Sequence, residues 1–406
     1  MKYDFTSTKE KRNRMFICIM SVFAVLCWMK FFDHEINPQG TTVFAFSYKY
    51  GFISRGLLGT IWQGLNAILP IDIMNFESIY AFTFILTIGF YMVFLWFFYT
   101  CLTLCNEKDE RNVQHLACFL AVFSFPMFVT TENFGRTDEY LMIMTVICCI
   151  LIVKEKLEWL VVPLTTICVV MHHGYVFMYL NIILVLFFYK IMFNEAKRKK
   201  YIILFALTFI IGSAFFLYFE FFSHPEGANA YKEIVALSKQ LAQDGKSYST
   251  SMVKHEILGE DVFEYEWKFH LINYYSTPVA LVIYLPYLMI GIPFFVRLFK
   301  GKNLKEKLVY LAVAVGSLTT IPQFILKVDF GRYFYAVFFY YIAIVMCLIA
   351  MKDKHVIGQL EDSIERVKNK IPAAKLLIAY PMMYMPFLDV QVGSFVWKIV
   401  DRYMIK

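Results

Sequence analysis

Long apolar runs alternate with short polar strings along almost the whole chain, and this alternation limits the folds open to it. Of the 406 residues, 59% are hydrophobic and only 17% are charged, whereas a soluble protein carries about 25% charged residues. The hydrocarbon core of a bilayer offers no hydrogen-bonding partner, so the backbone must satisfy itself within helices. The sequence therefore predicts an all-α, polytopic integral membrane protein with a single transmembrane domain over residues 1–406.

Several runs approach the roughly 20 apolar residues that a transmembrane helix needs, and together they predict roughly 10–12 spans. The candidate spans are residues 15–32, 79–104, 113–130, 140–153, 159–171, 174–193, 201–222, 277–296, 308–326, 333–350 and 374–388. Residues 56–70 are too short to span and are interrupted by glycine, which favours a re-entrant or interfacial helix. The first run lacks a small-residue cleavage site, so we expect an anchor and not a removed signal.

Lysine and arginine predict the orientation of these spans, because cytoplasmic loops carry an excess of both. Alternating through the spans places 24 of them on the side of the amino terminus and 13 on the other side. The amino terminus is therefore expected in the cytoplasm. The unusual polar strings then share the outer face, together with one longer outer loop, residues 223–273.

Other classes of protein are disfavoured by the same pattern. The net charge of +7 is dispersed between apolar runs, which indicates membrane orientation and not a nucleic-acid groove. All nine cysteines lie within or beside apolar runs, so neither a disulfide framework nor a metal site is predicted. No GxxxxGK[ST] sequence is present, which excludes transport driven by an ATPase within this chain.

Three arginines on the predicted outer face each adjoin a glycine: Arg55, Arg136 and Arg332. Glycine allows close approach of the backbone to a ligand, and a guanidinium group binds phosphate oxygens in a bidentate fork. Together they predict a receptor for a phosphate or pyrophosphate group. The alternative for each arginine alone is that it extends into the lipid headgroups.

Carboxylates border the same strings and are candidates for the base that deprotonates an acceptor hydroxyl. Asp33 and Glu35 follow the first span, and Asp138 and Glu139 begin the fourth. Burial can raise the pKa of such a group towards the working pH.

Ion pairing is the alternative for two of these strings. Arg136 would then pair with a following acid, and Asp329, otherwise a substrate-binding candidate, would pair with Arg332.

His172 and His173 end a short apolar run before Gly174. Adjacent histidines on a helix point roughly 100° apart, so they do not suit one metal ion. One of them is a candidate hydrogen-bonding or acid–base residue of the substrate site, and a satisfied interfacial histidine is the alternative. In the outer loop, helical spacing over 231–241 and the mixture of acids and aromatics over 260–267 suit either a sugar-binding lid or an interfacial aromatic belt.

The layout resembles bacterial multispanning enzymes of surface-polysaccharide assembly. The acidic string Asp33-His34-Glu35 after the first span is similar to the acidic pair of GT-C type glycosyltransferases that use polyprenyl-linked sugars, and there one acid is the proposed base. The three arginines match the outer-loop arginines of Wzy and EpsG-like repeat-unit polymerases, which are thought to hold a lipid pyrophosphate. The chain departs from many GT-C enzymes in lacking a large soluble outer domain, and His34 splits its acidic pair.

The resemblance implies a glycosyltransferase or polysaccharide polymerase of the bacterial inner membrane, acting at the outer or periplasmic face. Its partners would be the bilayer, a polyprenyl-(pyro)phosphate-linked sugar, a glycan acceptor and other polysaccharide-assembly proteins. No cofactor is specified, and a divalent cation is left open. The alternatives are a transporter or flippase of a lipid-linked or anionic solute, and a membrane acyltransferase that uses His172 or His173 as its base.

Overall fold

Every regular element in the described part of the chain is a helix, and no strand occurs within it. A computed structural model describes residues 31, 34–104, 134–223, 225, 229–245, 247–258, 278, 285, 288–289, 291–326 and 330–370. We number its helices α1 Pro38–Thr42, α2 Gly56–Ile68, α3 Phe76–Leu104, α4 Asp138–Lys154, α5 Val161–Met171, α6 Tyr175–Met178, α7 Leu180–Phe193, α8 Arg198–Phe221, α9 Ala230–Leu241, α10 Thr250–Leu258, α11 Leu304–Val315, α12 Ile321–Leu326, α13 Phe330–Ala350 and α14 Lys354–Lys370. Short 3₁₀ turns lie at Val43–Ala45, Tyr48–Tyr50, Glu158–Leu160, Glu195–Lys197 and Gly316–Thr320.

Helices α3, α4, α5, α7, α8 and α13 form a bundle around one apolar core. Their sequences are apolar on every side, which is expected where one face meets the core and another meets lipid. Helix α4 begins with Asp138 and Glu139 and ends with Lys154, which matches the charges favoured by the helix dipole. The core is rich in aromatic side chains; Phe94, for example, packs against Phe98 and Phe339.

Among the described residues, four helical stretches are long and apolar enough to cross a membrane: Phe76–Cys101, Glu195–Phe221, Leu304–Ile325 and Arg332–Ala350. They correspond to the runs predicted at 79–104, 201–222, 308–326 and 333–350. Within the described residues, the shorter apolar helices Glu158–Met171 and Leu180–Phe193 are separated by residues 172–179, where the helical path is interrupted.

Other span predictions differ from the structure or fall outside it. The run 174–193 is divided at Tyr179, where α6 ends and α7 begins. The runs 15–32, 113–130 and 374–388 lie outside the described residues except for Phe31, as does most of 277–296.

A smaller unit, which we call the cap, consists of residues 34–75, 229–245 and 247–258. Helices α2 and α9 and the turn Val43–Ala45 pack in a second apolar cluster that includes Phe44, Trp62 and Ile234. A Cβ atom on Gly59 would lie 1.8 Å from the carbonyl oxygen of Phe46. This contact requires glycine, and it explains how α2 lies so close to the preceding loop.

The predicted helical segments outside the spans are present. The short helix expected within 56–70 is α2, and the helical spacing over 231–241 is confirmed by α9. Helix α14 is amphipathic and buries Val356, Ile357 and Leu360 on one face.

The bundle has two chemically different ends. At one, which we call the histidine end, Asp138 contacts Arg332 and His173 contacts Glu220. At the other, which we call the lysine end, Glu155 is 2.5 Å from both Lys190 and Lys197. The polar strings singled out in the sequence that are described all lie at the histidine end, against which the cap packs.

Candidate functional site

Arg55 occupies an unusual backbone position immediately before α2. Its φ angle is 63°, in the left-handed region that few non-glycine residues adopt. Its side chain reaches the cap helix α10, where Nη1 lies 2.8 Å from the sulfur of Met252. Its Nε lies 3.0 Å from Oε1 of Glu256, an ion pair whose alignment is not that of a hydrogen bond.

His172 extends this arrangement from the bundle. The helix α5 ends at Met171, and the backbone N–H of Gly174 donates to His172 Nδ1 at 3.1 Å. In the neutral ring, Nε2 then carries the proton. This atom lies 3.5 Å from Nη2 of Arg55. Because both nitrogens are donors, they do not bond to each other, and both suit a shared anionic oxygen.

His173 faces a different set of groups. Its Nδ1 lies 2.8 Å from the hydroxyl oxygen of Ser54, the residue before Arg55. Its Nε2 lies 3.5 Å from Oε2 of Glu220, near the end of α8. The two adjacent histidines therefore point to different partners. We refer to Ser54, Arg55, His172, His173, Glu220 and Glu256 as the histidine cluster.

A second polar group joins the beginnings of α4 and α13. Nε and Nη2 of Arg332 lie 3.0 and 2.8 Å from Oδ2 of Asp138, and both side chains are buried. The hydroxyl of Tyr179 donates to Oδ1 of Asp138 at 3.2 Å. The two predicted roles, a base at Asp138 and a phosphate ligand at Arg332, involve residues that compensate each other's charge. This pair joins residues distant in sequence, whereas the ion-pairing alternative named the neighbouring Asp329, which lies outside the described residues, as the partner of Arg332.

Glu139 is enclosed beside this pair. It is fully buried, and its Oε2 accepts a hydrogen bond from Thr87 of α3 at 2.5 Å. In the state described here the Glu139 side chain faces the interior, and its role as a base stays a prediction.

The remaining predicted site residues belong to neither of these two polar groups or lie outside the described residues. Arg136 is half-buried in the turn between Gly135 and α4, at the histidine end. Glu35 is exposed beside His34, which itself contacts Glu77 at 2.9 Å. Asp33 and Asp329 lie outside the described residues.

The segment 172–179 links the two polar groups. It carries His172 and His173 of the histidine cluster and Tyr179 of the Asp138–Arg332 pair. Arg55 thus lies near the start of this segment and the Asp138–Arg332 pair near its end, and each of the two arginines is paired with a carboxylate.

Sequence reasoning missed Ser54, Glu220 and Glu256. Ser54 lies inside the polar string 48–56, but the sequence argument there was based on charge, and Ser54 carries none. Glu220 is the one acid within the apolar run 201–222, and an acid inside such a run is itself a functional signal. Glu256 had no signal of its own, because its importance comes from the packing of α10 against the loop before α2.

No group of three or more His, Cys, Asp or Glu side chains in the described ranges is arranged to hold a metal ion. A divalent cation therefore finds no ready site among these residues.

Comparison with known proteins adds no family. No protein-family model matches the chain, and no curated protein or solved structure matches it either. Within the described residues, the fold and the site define a class: an all-helical protein with helices suited to a membrane and a cluster of one arginine, one serine, two histidines and two carboxylates at one end.

Proposed function

We propose that this chain is a membrane glycosyltransferase or polysaccharide polymerase that uses polyprenyl-(pyro)phosphate-linked sugars. The observation that carries the proposal is the convergence of Arg55 Nη2 and His172 Nε2, two N–H donors 3.5 Å apart at the histidine end. A phosphate oxygen accepts from both kinds of donor. In this proposal the histidine end faces the outside or periplasm of a bacterial inner membrane.

Arg55 could bind a phosphate group in place of Glu256, its present partner. In the described state Glu256 compensates its charge, and the side chains of Arg55 and Glu256 are 16% and 6% exposed. An incoming phosphate would replace this carboxylate and leave the guanidinium paired. Charge that develops on the leaving phosphate as the glycosidic bond breaks would then be stabilised by groups already in place.

Apolar surface for the polyprenyl chain lies beside the cluster. Phe52, three residues before Arg55, packs against Phe219 near the end of α8. The neighbouring Phe221 and Phe222 are 62% and 69% exposed. A lipid-linked substrate could thus keep its chain on this aromatic surface while its phosphate reaches Arg55.

Lipid binding tests the phosphate site directly. We would measure binding of undecaprenyl phosphate and undecaprenyl pyrophosphate to the purified full chain by native mass spectrometry. A charge-assisted hydrogen bond contributes about 1.5–3 kcal/mol, so Arg55→Ala should weaken binding roughly ten- to hundredfold. Arg198→Ala is the matched control, because Arg198 pairs with Glu195 at the lysine end. Equal affinities for both variants would refute the assignment.

Turnover tests the reaction. The protein in liposomes, supplied with an undecaprenyl-pyrophosphate-linked oligosaccharide, should release undecaprenyl pyrophosphate as the glycan is transferred. Movement of the lipid-linked substrate across the bilayer without product would instead indicate the transporter alternative.

A further inference from the structure

The lysine end of the bundle carries many more positive than negative side chains. The segments that form this end are residues 154–158, 190–200, 297–307 and 352–354. Together they contain fourteen lysines and arginines and five acids. Glu195 lies 3.8 Å from Lys305, and Asp353 accepts a hydrogen bond from Tyr189. These contacts, with those of Glu155, join the segments into one surface, which is therefore strongly positive.

The acids of this surface are already engaged within it. All five have partners at the lysine end; Glu158, for example, lies 2.9 Å from Lys200. Exposed lysines remain that pair with no acid in the described part of the chain, among them Lys156, Lys199 and Lys300. An anionic partner from outside would therefore meet positive charge that no internal carboxylate compensates.

Large apolar side chains are exposed on the same surface. Leu157, Trp159 and Leu304 are 56%, 60% and 74% exposed. Trp96 is exposed as well, and the centre of its ring lies 4.9 Å from Nζ of Lys154. Tryptophan beside lysine is typical of the level at which a bilayer meets water. A soluble anion would pair with the lysines and leave these apolar side chains in water, whereas a lipid contacts both.

We propose that the lysine end binds the headgroups of anionic phospholipids, and that Leu157, Trp159 and Leu304 insert among the upper carbons of the acyl chains. A lipid phosphate oxygen accepts charge-assisted hydrogen bonds from the ammonium groups. The negative surface potential of an anionic leaflet adds attraction for each lysine near it. This binding is independent of the proposed sugar transfer, because the histidine cluster lies at the opposite end of the bundle.

The lipid preference of the purified full chain tests this surface. Native mass spectrometry would measure the affinities for phosphatidylglycerol and phosphatidylcholine with identical acyl chains, and the protein should prefer phosphatidylglycerol, the anionic lipid. Each lysine near an anionic surface contributes roughly a factor of five in affinity. Lys156→Gln/Lys199→Gln/Lys300→Gln should therefore weaken the binding of phosphatidylglycerol about a hundredfold and leave that of phosphatidylcholine unchanged. A wild-type protein without this preference would overturn the proposal.

The matched control removes three exposed lysines from the cap by the same substitution. These are Lys49, Lys232 and Lys239. The change in net charge is identical, but the cap packs against the histidine end, so phosphatidylglycerol should bind this variant almost as tightly as the wild type. Equal losses in the two triple variants would show that net charge and not the lysine end attracts the lipid, which would overturn the proposal.

Two further measurements separate a lipid from a soluble anion. Glycerol 3-phosphate carries a phosphate group without acyl chains and should not displace phosphatidylglycerol at equal concentration. Displacement would identify a site for a soluble phosphate and would overturn the assignment to lipid. Trp159→Ser removes apolar contact and no charge, so it should weaken the binding of both lipids by the same factor. Unchanged affinities for both lipids would overturn the insertion of this surface into the bilayer.

Discussion

Replacing Arg332 by methionine would leave the carboxylate of Asp138 buried without its guanidinium partner. The side chains of Arg332 and Asp138 are 9% and 2% exposed, and their closest atoms are 2.8 Å apart. Removing one member of such a pair costs about 3–5 kcal/mol, because the charge that remains is uncompensated. The hydroxyl of Tyr179 still donates to Asp138, so we expect a loss near the lower limit, about 3 kcal/mol in the free energy of unfolding.

Unfolding in mixed micelles with increasing SDS, followed by circular dichroism, would measure this loss. The double variant Asp138→Leu/Arg332→Met removes both charges and should recover most of the stability. Arg198→Met is the control, since Arg198 and Glu195 are 44% and 77% exposed and such surface pairs contribute less than about 1 kcal/mol. If Arg332→Met costs no more than this control, the buried pair does not join α4 to α13 as we argue.

Two further predictions concern the cap and the lysine end. Gly59→Ala should destabilise the protein by about 1–3 kcal/mol, because its Cβ would overlap the Phe46 carbonyl. Gly64 has open space around it, so Gly64→Ala is the control and should be neutral or stabilising. Thermal unfolding of both variants would measure the difference, and equal effects would refute this account of the cap. For Glu155, burial raises the pKa, but hydrogen bonds from Lys190 and Lys197 outweigh burial and lower it from 4.5 to about 2. A lowered pKa contributes stability above pH 4.5 that is lost as the pH falls through about 2. Glu155→Gln should therefore lower the melting temperature at neutral pH, and the melting temperatures of the variant and the wild type should become equal near pH 2. A difference in melting temperature that does not depend on pH would contradict this prediction.

Helices were more predictable than their breaks. Apolar length was enough to anticipate α3, α8 and α13, because a long apolar run has few alternatives to a helix. The division at Tyr179 was not anticipated, since residues 174–193 contain no proline or internal glycine after Gly174 to mark it. The break places Tyr179 beside Asp138, a contact that depends on α4 and is invisible in the local sequence.

The candidate site was predictable in its residue types and not in its pairings. The sequence indicated Arg55, His172 and His173 because charged and imidazole groups beside apolar runs are costly without a partner or a role. It also indicated Arg332 and Asp138, but the acid it offered as a partner of Arg332 was the neighbouring Asp329, and it offered no acid for Arg55. In the structure, the partners of Arg55 and Arg332 are Glu256 and Asp138.

The order of residues is enough to predict that this chain is helical, apolar enough for a membrane, and polar at a few defined strings. Composition and run length fix these properties, because they follow from the backbone and from side-chain transfer energies, which act locally. Which of these strings meet in space depends on how the helices pack. Ser54 and His173 are 119 residues apart, and Asp138 and Arg332 are 194 apart. Such contacts arise from the packing of whole helices and the cap. That packing brings Asp138 and Arg332 together in one ion pair and brings Arg55, His172 and His173 together in the histidine cluster.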